Sequence, residues 1–171
     1  GVYAEPVAEP YGTWDESPAL WLYTSGTTGT PKGAMHRHAD IRTVCETYAR
    51  HVLRIGPDDV CLSAAKLFFA YGIGNSLFFP LSVGASAVLE PARPNPVRAG
   101  ELIRTHGVTL FFGGPSFWGP LMAADLGRET FATVRNGVSA GEALPARMYH
   151  GVLEQYGFEV LDGIGSTEAL H

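Results

Sequence analysis

Cysteine is scarce in this sequence: 171 residues contain 2, Cys45 and Cys61. Both sit in apolar segments without CxxC spacing, so a disulfide framework is disfavoured, and buried thiols in a reducing compartment, the cytoplasm, are expected. Clustered positive charge is also missing. Twelve Lys and Arg stand against 17 Asp and Glu, for a net charge of −5, and no block of five or more basic residues offers a phosphate backbone a track, which argues against a nucleic-acid partner. Long hydrophobic runs are absent too. The longest apolar stretch, residues 67–83, is broken by Tyr71, Gly72, Gly74, Asn75, Ser76 and Pro80, so it reads as a buried element rather than a membrane span. The chain starts at Gly1 without a Met or a signal-peptide pattern and stops at His171 without a tail. Both ends are expected to be cut from something longer.

What is present is apolar material for one compact core, 46% of the residues, with 17% charged. Residues 1–18 are rich in Pro, Gly, Glu and Ala without a period and read as a linker or surface segment. Residues 19–171 turn regular, as one domain or part of one. β-prone runs occur at 20–24, 60–64, 86–89, 108–112, 134–139 and 159–164. Helical spacing between them is clearest at Ile41, Val44, Cys45, Tyr48 and Val52, behind Asp40 as N-cap. A second helix is expected from Pro145 to Gly157. A third, over residues 115–126, is expected to be kinked or to start late at Gly119 and Pro120. Strands in continuous apolar runs alternating with helices indicate an α/β fold, a mostly parallel sheet with helices on both faces. Ligands of such sheets gather beyond the carboxyl ends of the strands.

The first strand runs into Tyr23-Thr24-Ser25-Gly26-Thr27-Thr28-Gly29-Thr30-Pro31-Lys32-Gly33. Gly26 and Gly29 let main-chain amides approach phosphate oxygens, the hydroxyls donate hydrogen bonds, and Lys32 supplies a point charge. A Walker A loop is disfavoured, because Pro31 stands five residues after Gly26 and Gly33 follows Lys32. The run resembles the phosphate loop of the AMP-forming acyl-CoA synthetase superfamily. Ser139-Ala140-Gly141-Glu142-Ala143-Leu144-Pro145 and Asp162-Gly163-Ile164-Gly165-Ser166-Thr167-Glu168 resemble its adenine-side loop and its Gly-x-Thr-Glu element, in the family's order. The likeness covers residues 21–171, part of the larger N-terminal domain of such enzymes. It implies that Thr24, Ser25, Gly26, Thr27, Thr28, Gly29 and Lys32 hold the β- and γ-phosphates of ATP and that Thr167 binds the α-phosphate. Gly141, Glu142, Ala143, Asp162, Gly163 and Ile164 would face the nucleotide, and Glu168 would ligate Mg²⁺. Ile164 stands where many relatives stack an aromatic residue on adenine.

Within that superfamily, residues 63–75 and 162–171 are most similar to benzoate–CoA ligases. That likeness implies an aryl pocket at Ala70, Tyr71, Gly165 and His171. It also implies a two-step reaction of a small aromatic acid with ATP and then CoA, with Lys32, Thr167 and Glu168 as the catalytic set. Tyr71 offers a flat face to a ring, and Ala70 and Gly165 leave it room. Phe68 and Phe69 read as ordinary core residues. His36 and His38 lack a third ligand at metal-binding spacing and are expected to pack beside the phosphate loop. Two other readings stay open: an adenylating enzyme that loads a carrier protein, and a non-catalytic nucleotide-binding fragment. An incompletely covered sheet would also favour a homo-oligomer or self-association.

Overall fold

The computed structural model describes residues 9–24 and 29–170. Ser25, Gly26, Thr27, Thr28 and His171 therefore lie outside the described residues. The chain opens with β1 (Pro18–Thr24) and β2 (Lys32–Arg37), and α1 (His38–Val44) continues as the wider i→i+5 turns of Cys45–Leu53. Next come β3 (Val60–Ser63), α2 (Ala70–Ile73), a second wide-turned segment Gly74–Phe78, α3 (Phe79–Val83) and β4 (Ser86–Val88). The remainder is α4 (Pro96–His106), β5 (Leu110–Phe112), α5 (Pro115–Ala123), a 3₁₀ turn Arg128–Phe131, β6 (Asn136–Ser139), α6 (Ala146–Tyr156) and β7 (Glu159–Asp162).

Five strands form one parallel sheet in the order β4-β3-β5-β6-β7. Side-chain alternation sorts it into two faces. Leu62, Phe111 and Val160 join Leu102, Ile103, Trp118, Leu121, Val152 and Tyr156 in the core that α4, α5 and α6 cover. Cys61, Leu110, Phe112 and Val138 face the other way, onto Cys45, Ala49, Leu53 and Phe79. The expected parallel sheet with helices on both faces is what forms. Trp118 anchors the first core: fully buried, it donates from Nε1 to Gly113 O at 2.9 Å and meets Phe111 edge-on at 5.2 Å. Burying each such large apolar side chain contributes roughly 1.5–3 kcal/mol.

Residues 20–24 are not part of that sheet. β1 pairs antiparallel with β2, Trp21 opposite Met35 and Thr24 opposite Lys32. The sequence KGAMHR gives β2 no β-branched residue, so its strand form comes from the partner strand rather than from propensity. Asp40 is the third residue of α1 and not its cap. Its carboxylate accepts from the Arg37 main-chain N–H at 2.8 Å and from the Arg37 guanidinium at 2.9 Å. Val52 is 51% exposed, because the wider winding turns Cys45, Ala49 and Leu53 inward instead. α5 begins at Pro115 and runs through Pro120 to Ala123. Pro115 and the core contacts of Trp118 and Leu121 set its start, so Gly119 does not delay it. Both cysteines are free and buried. Among the described residues no helix is long and apolar enough to cross a membrane.

A candidate acyl-adenylate cleft

Beyond the carboxyl ends of β3, β5, β6 and β7 the chain leaves a cleft of about 750 Å³. Its walls come from the segments that follow those strands: Ala64, Ala65 and Phe69 after β3, Gly114, Ser116 and Phe117 after β5, Ala140, Gly141 and Glu142 after β6, and residues 163–167 after β7. Ala70 and Tyr71, the first residues of α2, close one end together with Tyr48. The Tyr71 hydroxyl donates to Val138 O at 3.0 Å, and its ring meets Phe112 edge-on at 6.4 Å. Burial pushes the Tyr71 phenol well up from its ordinary value, with the Tyr48 phenol adding to the effect, and burial takes Tyr48 up to about 12. This end of the cleft is therefore uncharged at neutral pH and suits an apolar ring.

The other end is built from glycine-rich main chain. Gly141 stands at φ 91, a conformation that lets the loop turn back over the cleft without a side chain. Gly163 N–H donates to Ser139 O at 2.8 Å, which carries the β6–β7 register one step into the loop. Thr167 is half-buried on the wall, and its carbonyl accepts from His36 Nε2 at 2.8 Å. A carbonyl only accepts, so Nε2 carries the proton. His36 is 3% exposed and ties β2, which begins at Lys32, to the loop that holds Thr167.

Of the residues singled out from the sequence, Ala70, Tyr71, Gly141, Glu142, Gly163, Ile164, Gly165 and Thr167 share the cleft wall. Thr24, Gly29 and Lys32 stand on the hairpin, Lys32 exposed and paired with Thr24. Ala143, Asp162 and Glu168 are exposed beside the cleft rather than on its wall. Ile164 is 99% exposed at the rim, free to lie against a flat group. Phe68 and Phe69 are not core: they are 71% and 55% exposed, and Phe69 lines the cleft. Tyr48, Gly114, Ser116, Phe117 and Leu170 were not anticipated as wall residues. The segment after β5 could have been found from the strand-end rule, whereas Tyr48 carries the same signal as any apolar helix face. Asn75 and the Ser139 hydroxyl are buried without a hydrogen-bond partner among the described residues.

The profile of a family described as AMP-binding enzyme matches residues 4–171. The chain belongs to the AMP-binding enzyme family. This member is 48% identical over 153 residues to a benzoate–CoA ligase of Thauera aromatica, across 89% of this chain and 29% of that protein. It is 42% identical over 161 residues to a p-hydroxybenzoic acid–AMP ligase of Mycobacterium tuberculosis, across 94% of this chain and 22% of that protein. Among solved structures, a benzoate CoA ligase from Burkholderia xenovorans LB400 superposes with a TM-score of 0.89 at 42% identity, covering 97% of this chain and 33% of that one. The chain thus spans about a third or less of the proteins it matches.

The donor set suits a magnesium ion of the kind that travels with a nucleotide. Glu168 offers one exposed carboxylate on the turn after Thr167. Magnesium is commonly bound through one or two carboxylates, with phosphate and water filling its other positions.

Proposed function

We propose that this chain is the part of an AMP-forming acid–CoA ligase that holds a small aromatic carboxylate, benzoate or a substituted benzoate, against the phosphates of ATP. The observation that carries this reading is that one cleft is lined both by the apolar Tyr48, Ala70 and Tyr71 and by the glycine-rich segments at Gly141 and residues 163–167. Ala70, Tyr71, Gly165 and His171 hold the ring. Gly141, Glu142, Ala143, Asp162, Gly163 and Ile164 face the adenosine. Thr24, Ser25, Gly26, Thr27, Thr28, Gly29 and Lys32 hold the β- and γ-phosphates, and Thr167 holds the α-phosphate. A magnesium ion bound at Glu168 would supply positive charge to the phosphate oxygens.

The carboxylate oxygen attacks the α-phosphorus, a new P–O bond forms, the α–β bridging P–O bond breaks, and pyrophosphate leaves. The CoA thiol then attacks the acyl carbonyl, loses its proton, and AMP departs with the C–O electron pair. Neither step needs a protein nucleophile, so catalysis rests on alignment and on charge placed where it develops. Lys32 supplies such a charge beside the departing phosphates. The His36 bond to Thr167 O supports this arrangement, because it fixes the α-phosphate residue relative to the strand that carries Lys32. The buried free thiols suit a reducing compartment, the cytoplasm.

The test is exchange of radiolabelled pyrophosphate into ATP by the complete protein that carries these residues. Benzoate-dependent exchange, followed by benzoyl-CoA and AMP when CoA is added, is the expected result. No exchange with any aromatic acid would reject the proposal. Exchange without a CoA thioester, but with transfer to a phosphopantetheinyl protein, would select the carrier-loading reading.

A further inference from the structure

One lysine near the cleft is not accounted for by the reaction above. Lys66 lies in the segment after β3 whose residues Ala64, Ala65 and Phe69 line the cleft. Its ammonium bonds main chain, although its charge also acts on the nearby Glu90 carboxylate. Nζ donates to the main-chain carbonyls of Glu90 and Ala92, both at 2.5 Å, on the crossing from β4 to α4. That crossing reads Glu90-Pro91-Ala92-Arg93-Pro94-Asn95-Pro96. Its three prolines have no N–H to donate, so the segment has little main-chain bonding of its own with which to hold a shape. Side chains do the work. The Glu90 carboxylate accepts from Ala92 N–H at 3.0 Å and from Arg98 Nε at 2.8 Å, and Asn95 caps α4 through Arg98 N–H at 3.1 Å. Lys66 alone among these anchors comes from outside the crossing and α4, from the segment after the neighbouring strand β3. Pro94 projects from the clamped segment onto the cleft, and a small second cavity lies between Pro94, Phe117, Ala64 and Lys66. At about 20 Å³ it holds no more than a water, but it leaves Pro94 incompletely packed against Ala64 and Phe117.

The Lys66 side of the clamp is itself rigid. Ala64 N–H donates to Phe112 O at 2.8 Å, Ala65 N–H to Ser63 Oγ at 3.2 Å, and Phe69 N–H to Lys66 O at 3.1 Å. The segment is therefore fixed to the sheet on one side and to α2, which carries Ala70 and Tyr71, on the other.

We propose that Lys66 is a positioning residue for acid selection: by fixing the Glu90–Ala92 carbonyls it sets where Pro94 stands on the cleft wall beside the segment that leads into Ala70 and Tyr71, and so the size of the carboxylic acid admitted. The inference rests on the aryl-acid reading above. It predicts a split that a general stabilising role does not. Releasing the clamp widens the acid end and leaves the glycine-rich nucleotide end in place.

The experiment compares the complete protein with its Lys66→Met and Pro94→Gly variants in pyrophosphate exchange, using benzoate and 2-naphthoate as probes. Lys66→Met is expected to move the naphthoate-to-benzoate ratio of kcat/KM upward by about tenfold, the scale on which pockets discriminate by size. KM for ATP stays within about twofold, because no nucleotide contact is removed. Pro94→Gly moves the ratio the same way, and the double variant gains less than the sum of the two, because both act on one wall. Parallel loss on both acids with an unchanged ratio overturns the proposal, as does a rise in KM for ATP with acid selection intact. If Lys66→Met does not fold, Pro94→Gly decides: a naphthoate-to-benzoate ratio equal to that of the unsubstituted protein overturns it. An unsubstituted protein that shows no aryl-acid-dependent exchange overturns the underlying reading, and this inference with it.

Discussion

Gly72→Ala is a substitution for which helix propensity and the structure predict opposite signs. Gly72 lies in α2, where replacing glycine by alanine ordinarily stabilises by roughly 0.5–1 kcal/mol. Here a Cβ would stand 1.9 Å from Lys66 O, 2.5 Å from Lys66 C and 2.9 Å from Ala65 O. The shortest of these is roughly 1.5 Å inside ordinary contact, and all three are main-chain atoms that no rotamer change can move. Either α2 lifts or the Ala65–Lys66 peptide shifts. Overpacking of this kind costs about 1–3 kcal/mol and occasionally more, so the net change is destabilising despite the gain in propensity. The displaced elements carry Phe69, Ala70 and Tyr71, and Tyr71 must keep its bond to Val138 O. KM for the aromatic acid should therefore rise about tenfold or more, the equivalent of about 1.4 kcal/mol, with KM for ATP nearly unchanged. Thermal unfolding and pyrophosphate exchange on the complete protein read both quantities. A variant that melts at or above the parent temperature with unchanged acid KM would refute the argument, since it would mean that α2 does not rest on the Lys66 carbonyl.

Other substitutions separate the parts of the site. Lys32→Ala should slow pyrophosphate exchange roughly ten- to a hundredfold, the loss of one charge-assisted contact, with aromatic-acid binding nearly intact; an unchanged exchange rate would remove Lys32 from the phosphate site. Ala70→Leu should weaken benzoate binding by about 1–3 kcal/mol without moving ATP affinity, and the reverse pattern in binding titrations would place Ala70 on the nucleotide side. Arg135→Ala concerns stability alone. Burial raises the pKa of the Asp59 carboxyl, but hydrogen bonds from the Arg135 guanidinium, the Thr109 hydroxyl and Gly56 N–H outweigh it and leave the group below its ordinary value. Its contribution is therefore present above the unfolded value of about 4 and lost as pH falls below it. Denaturant unfolding should show a gap between parent and variant that is wide at neutral pH and narrows in acid, and a gap independent of pH would count against the pair.

The fold class and a part of the cleft wall were legible because the signals were local. Apolar runs at 60–64, 86–89, 108–112, 134–139 and 159–164 each contain a strand of the parallel sheet, since a strand buried on both faces must be continuously apolar. Gly107 and Gly157 end α4 and α6 in the left-handed conformation that glycine tolerates. The misses were non-local. β2 has no strand-forming residues and owes its form to β1. Tyr48 looks like a core residue of a helix and becomes a cleft wall only because Cys45–Leu53 packs on one face of the sheet beside α3, with the Tyr48 ring 5.6 Å from that of Phe79. Phe68 and Phe69 read as core by hydrophobicity, yet both are exposed in the turn that precedes α2, where their rings meet each other at 4.4 Å.

The separation of the β1–β2 hairpin from the main sheet raises the question of what keeps Lys32, proposed above to meet the phosphates, in register with the rest of the site. A two-stranded ribbon alone is marginally stable in water, and β1 and β2 pair with each other and not with the parallel sheet. The described residues supply two attachments. At one end of the hairpin, His38 N–H donates to Ser17 O at 3.1 Å and Ala39 N–H to Asp15 O at 3.0 Å, while Arg37 and Arg42 pair with Glu16 and Asp15. Those ion pairs are exposed and individually weak, so the main-chain bonds set the geometry. Further along β2 is the His36 bond to Thr167 O, which is part-buried and crosses 131 positions of sequence. It joins the strand that starts at Lys32 directly to the loop of Thr167, the residue proposed to hold the α-phosphate. Replacing His36 by an apolar residue would leave the Thr167 carbonyl without this partner and the hairpin held only at its far end. The phosphate groups and the α-phosphorus would then no longer be positioned by one rigid frame, and alignment of the two is what the proposed chemistry requires.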